Sequence, residues 1–156
     1  MLRSNPKRKP SNTGGNFVIV ASKYNSRYVD AMVRSAKAEL VRAKANVRIV
    51  RVPGAFEIPV VAANLARVSS KELSAIICLG VILRGATTHA QHIGESVSSA
   101  LMQIQIAYEV PVIHEVLLLE NEEQAKARCL GKTHNRGTEA AQTAIEMAQI
   151  IKSLFE

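Results

Sequence analysis

Gly80-Val81-Ile82-Leu83-Arg84-Gly85-Ala86-Thr87-Thr88-His89 is the run of this 156-residue chain whose residue types and spacing could do chemistry. It passes from an apolar segment through glycine and small residues to two hydroxyls and an imidazole. If a helix starts there, its first N–H groups lack intrahelical partners and, with the hydroxyls, suit a phosphate. His89 stands beside them, and an imidazole of ordinary pKa, about 6.5, exchanges protons at neutral pH. The competing reading is a histidine that only packs or meets solvent. Metal binding is a second competitor, because His89-x-x-His92 has i, i+3 spacing and His114 and His134 are available. No acidic or cysteine partner has a defined ligand spacing, and structural zinc sites usually need four ligands, so no metal is expected.

Three further positions carry chemistry. Tyr24 is one of only six aromatic residues and follows an apolar run, where its ring could stack on a planar ligand or serve as a turn residue. In Pro53-Gly54-Ala55-Phe56-Glu57-Ile58-Pro59 a turn lets backbone approach a ligand closely, with Glu57 at a helix N-terminus either as a contact or as a dipole partner. Arg128 could pair with phosphate bidentately or lie solvated at the end of a polar segment.

The elements that must position these groups are legible as periodicity. Phe17–Ala21 reads as a buried strand, and the spacing of Val29, Met32 or Val33, Ala36 and Leu40 as an amphipathic helix running to about residue 43. Val47–Val52 alternates as a second strand, followed by a helix from Glu57 with Pro59 in its first turn. Ala75–Leu79 is the most continuous apolar run and reads as a central strand. A helix striped by Ile93, Val97, Leu101, Ile104 and Tyr108 comes next, then a strand from Val112 to Leu119. Two helices finish the chain, a short polar one over residues 121–128 and a long one over 138–154. Such alternation, with right-handed crossovers, implies a three-layer α/β/α sandwich around a four-stranded parallel sheet. Ligands then bind beyond the carboxyl ends of the strands, after about residues 21, 52, 81 and 119.

Composition bounds the function. With 47% hydrophobic residues the chain can build one core, and Cys78 and Cys129 fit reduced thiols in a cytoplasmic setting. The longest stretch without charge, Ser96–Tyr108, is 13 residues, short of a membrane span. The first residues lack the apolar segment of a secretory signal. Net charge is +7, but residues 1–15 hold four of the 20 basic residues and no acid. Residues 1–15 therefore read as a basic flexible arm, and residues 16–156 as a single mildly basic domain. No aromatic residues interleave with the arm's positive charges, so no nucleic-acid partner is expected. Neither a Gly-rich dinucleotide fingerprint nor a GxxxxGK[ST] loop follows the first strand, which disfavours nicotinamide and nucleoside triphosphate.

Taken in order, Tyr24-Asn25, Val52 to Pro59, Gly80 to His89, Pro111-Val112-Ile113, Glu123-Gln124-Ala125, Asn135-Arg136-Gly137 and Glu146-Met147-Ala148 closely resemble the lumazine synthases of riboflavin biosynthesis. The likeness runs from about Phe17 to Phe155. It implies a flavodoxin-like fold. It also implies a cofactor-free condensation of 5-amino-6-(D-ribitylamino)uracil with 3,4-dihydroxy-2-butanone 4-phosphate. By position, Tyr24 matches the aromatic that stacks on the pyrimidine, and Ala55, Phe56 and Glu57 match the ribityl-binding segment. Val81, Ile82 and Leu83 match contacts to the heterocycle, while Gly85, Ala86 and Thr87 match the phosphate loop. Arg128 matches the phosphate-binding arginine and His89 the proton donor.

At position 114 many relatives carry an aromatic that a neighbouring subunit packs on the substrate ring; this chain has His114 followed by Glu115. A histidine ring can still stack, and a change in its charge predicts substrate affinity that differs between about pH 6 and 8. The resemblance also implies a homo-oligomer with sites between subunits, either pentamers or sixty-subunit shells of twelve pentamers. The loop from Gly131 to Gly137 has the length found in shell-forming relatives. Riboflavin synthase is the candidate for an enclosed partner, and the N-terminal segment is expected to lie along a neighbour's sheet edge. A purely structural compartment protein would lack the intact Arg84–His89 motif.

Overall fold

The computed structural model describes residues 14–156. Of the expected basic arm, residues 1–15, all but Gly14 and Gly15 lie outside the described residues. Four strands, β1 Asn16–Ser22, β2 Asn46–Val52, β3 Ala75–Leu83 and β4 Val112–Leu119, form one parallel sheet in the order β2-β1-β3-β4. Five helices alternate with them: α1 Ser26–Arg42, α2 Ile58–Ser69, α3 His89–Tyr108, α4 Glu122–Cys129 and α5 Arg136–Ser153. The three-layer α/β/α sandwich expected from the alternation, with its flavodoxin-like topology, is the observed fold.

Each face of the sheet has its own core. Phe17, Ile19, Ile77 and Leu79 point toward α1, α4 and α5, where they meet Met32, Leu40, Ala125, Ala141 and Ile145. Val18, Val20, Ile76 and Cys78 point the other way, toward Ala62, Val97, Leu101 and Ile104 on α2 and α3. Burying each large aliphatic side chain stabilises the fold by roughly 1.5–3 kcal/mol. β3 is buried on both faces almost throughout, as its continuous apolar run predicts. The Tyr28 hydroxyl donates to a Glu122 carboxylate oxygen at 2.8 Å and ties α4 to α1.

The strand order makes β1 and β3 the switch point of the sheet, since the chain moves outward from β1 to β2 and then returns to β3. Open parallel sheets place their ligand crevice there. Beyond this, β3 is longer than its apolar run implies. It pairs with β1 only as far as Leu79, while Gly80–Leu83 continue against Val116–Leu119 of β4. The Gly80 that ends the run Ala75–Leu79 leaves the strand unbroken, because its missing side chain makes room for Ser22, Val116 and Ile58.

Candidate functional site

The free flank of Gly80–Leu83 borders an open crevice of about 850 Å³. Val81, Ile82 and Leu83 form part of its lining, and the turns after β1 and β2 meet them there. Lys23 N–H donates to Val52 O at 2.8 Å and Tyr24 N–H to Pro53 O at 3.2 Å, holding the two turns side by side. Asn25 then takes a left-handed conformation, φ 56°, which asparagine tolerates better than most residues. Its amide donates to Val81 O at 2.7 Å, satisfying a carbonyl that has no strand beside it. This brings the Tyr24 ring over the crevice, where it is 75% exposed in the single chain.

The expected turn at Pro53-Gly54 leads into a short 3-10 turn, Ala55–Glu57, before α2 begins at Ile58. Gly54 N–H donates to Glu57 Oε2 at 3.1 Å, so the Glu57 carboxylate closes its own turn as well as facing the crevice. Ala55 is buried, and Phe56, 63% exposed, stands at the crevice wall.

On the opposite wall, Gly85 and Thr87 precede α3 and His89 opens it. No side chain caps this helix; only Thr87 Oγ1 accepts from His89 N–H, at 3.4 Å. The first turn of α3 thus offers N–H groups and a dipole to an anion, beside an exposed imidazole. His92 and Ser96 continue the crevice lining one and two turns along α3. Helical spacing from His89 is the signal that could have placed them there, and Asn25 carried a signal as the residue following the aromatic.

Three of the expected residues do not line this crevice. Ala86, between Gly85 and Thr87, is not part of its lining. Arg128 lies on α4, on the α1/α5 side of the sheet, with Nη1 donating to Gln124 O at 3.4 Å. His114 lies opposite Cys78 in the register, below the level of the crevice, with β3 between it and β1. Its Nδ1 accepts from Val116 N–H at 3.1 Å, so the proton sits on Nε2 and is donated to Ser98 Oγ at 2.7 Å. Burial lowers the His114 pKa, which moves its titration toward acid and away from the pH 6–8 window expected from the residue type. Its neighbour Glu115 is pushed up to about 7 by burial, although Arg136 lies 4.0 Å away and opposes the shift.

Among the described residues there is no group of three or more His, Cys, Asp or Glu side chains able to hold a metal ion. No helix among them is long and apolar enough to cross a membrane. Cys78 and Cys129 are free and buried, and burial pushes their thiols up to about 12 and about 11.

A model of the 6,7-dimethyl-8-ribityllumazine synthase family matches residues 14–152. A synthase of that name from Stenotrophomonas maltophilia (strain R551-3) is 40% identical over 141 residues, covering 88% of this chain and 90% of the relative. The one from Aquifex aeolicus (strain VF5) is 41% identical over 144 residues, covering 90% and 92%. The Xanthomonas campestris pv. campestris (strain B100) protein is 38% identical over 145 residues, covering 91% and 93%. On this coverage and identity, the chain belongs to the 6,7-dimethyl-8-ribityllumazine synthase family, transferases of riboflavin biosynthesis.

Proposed function

We propose that this chain condenses 5-amino-6-(D-ribitylamino)uracil with 3,4-dihydroxy-2-butanone 4-phosphate, releasing 6,7-dimethyl-8-ribityllumazine, inorganic phosphate and two waters. The observation that carries the reading is the switch-point crevice, which sets aromatic walls at Tyr24 and Phe56 across from an uncapped helix start bearing His89. The pyrimidine stacks on Tyr24 against Val81–Leu83, the ribityl chain follows Ala55–Glu57, and the phosphate sits at Gly85–Thr87. An amine attacks the ketone and water leaves to give an imine. Phosphate is then eliminated, and closure of the second ring expels another water. Each step moves a proton, and His89 serves as the exchanging group. Much of the acceleration comes from aligning two reactants that condense slowly unaided.

Arg128 and His114 reach this chemistry only from a second copy, because in their own chain they face away from the crevice. The active unit is therefore a homo-oligomer, a pentamer or a shell of pentamers, acting in the cytoplasm without cofactor. The deciding assay mixes protein with both substrates and follows the fluorescent lumazine. His89→Ala and Arg128→Ala each lower turnover alone, and oligomers assembled from a mixture of the two regain activity. Failure of an intact oligomer to make the lumazine rejects the reaction, and failure of the mixture to recover rejects the shared site.

A further inference from the structure

Arg84 stands inside the chemically rich loop, yet its side chain does not line the crevice. Its backbone N–H donates to Leu119 O at 2.9 Å, at the end of β4. Its Nε meets Glu120 Oε1 at 2.8 Å, and its Nη2 donates to Gln91 Oε1 in the first turn of α3. Both partners are held in turn, Gln91 by donating to Glu95 Oε1 at 2.5 Å and Glu120 by its N–H donating to Gln124 Oε1 at 2.9 Å. One guanidinium thus joins the end of β3, the end of β4 and the start of α3. Between these anchors Gly85 and Ala86 make no hydrogen bond among the described residues, and a side chain on Gly85 would touch nothing. The ion pair is 36% and 61% exposed, a setting in which such pairs add little to stability.

We infer that Arg84 is a positioning residue: with Glu120 and Gln91 it clamps the ends of the Gly85–Thr88 loop so that its donors are already set for a phosphate group. The inference rests on the proposed role of that loop as phosphate cradle. It makes Arg84 a fork whose planar geometry spans two partners, which a lysine cannot reproduce. It also assigns Glu120, an anion near a phosphate site, a favourable effect on phosphate binding.

Arg84→Gln is expected to raise KM for the phosphate-bearing substrate roughly tenfold to a hundredfold, with KM for the pyrimidine and Tm unchanged. Arg84→Lys changes KM in the same direction despite keeping the charge. Glu120→Ala is the decisive variant, because loss of the clamp raises that KM, whereas a freed Arg84 acting as a bare attractive charge would lower it. A lowered KM in Glu120→Ala, or full rescue by lysine at 84, overturns the inference. Thr87→Ala separates the two levels. If it raises the phosphate KM and Arg84→Gln does not, the clamp alone falls; if neither moves it, the cradle falls and the clamp with it.

Discussion

The starts of α3 and α5 are built from similar materials to opposite ends. Both follow loops with glycine, threonine and a cationic side chain, with a histidine at or near the helix start. At α5 the capping residue and the glycine after it are both used inside the chain. Asn135 Oδ1 accepts from the N–H groups of Gly137 and Thr138 at 2.8 and 3.3 Å, and Asn135 Nδ2 donates to Cys129 O at 2.8 Å. Gly137 packs so closely on α1 that a Cβ would lie 2.1 Å from Met32 O. At α3 no side chain caps the helix and Gly85 has open space around it. Unspent hydrogen-bonding capacity, rather than residue type, separates the two helix starts.

Substitutions can break this contrast, and the largest effect belongs to the closed end. Gly137→Ala should cost about 3 kcal/mol or more, because backbone on both sides must move, and a denaturant midpoint near that of the parent would contradict the packing. Asn135→Ala removes the cap and orphans a buried carbonyl, for an expected loss of about 2 kcal/mol in the same experiment.

Glu115 faces Arg136 at the first residue of α5 and supplies a pH-dependent test. Its folded pKa, raised to about 7 from 4.5, means the native state holds this proton where the unfolded chain has released it. Its stabilising contribution is present below about pH 4.5 and lost as pH rises to 7, an effect of about 3 kcal/mol for a group this buried. Glu115→Gln should flatten that part of the stability profile, and identical profiles for variant and parent would refute the shift.

At the open end the consequences fall on activity. His89→Ala should reduce turnover about tenfold to a hundredfold while leaving the melting temperature in place; unchanged turnover would remove His89 from proton transfer. Smallest of all is the stability effect of Gly85→Ala, expected within about 0.5 kcal/mol, whereas its KM for the phosphate substrate rises. A large destabilisation there would show that α3 begins as closed as α5.

The alternation of strands and helices was readable because each element carries its own periodicity, from the continuous run of β3 to the stripe on α3. The crevice residues on the turns after β1 and β2 and before α3 were also readable, since topology puts the ends of parallel strands together. What escaped depends on register. The apolar run Ala75–Leu79 put the strand's end near residue 81, and only the pairing of Gly80–Leu83 with Val116–Leu119 shows that it runs on to Leu83. The contact between His114 Nε2 and Ser98 Oγ requires knowing that Ser98 on α3 lies over β4. Position on the polar helix could not tell whether Arg128 faces its own crevice, because that depends on the face of the sheet on which α4 packs.

The four residues by which β3 outruns its pairing with β1 bear on how this site can change over time. A wall made partly of main chain presents the same peptide groups whatever residue other than proline occupies the position. Drift among Val81, Ile82 and Leu83 would reshape the apolar lining while leaving that polar edge intact. Losing it would require shortening the strand or introducing a proline, which removes an N–H. If substrate binds in this crevice as proposed, recognition held in the backbone is shielded from most substitutions, and the changeable part of the lining is the side chains of Tyr24, Phe56 and α3.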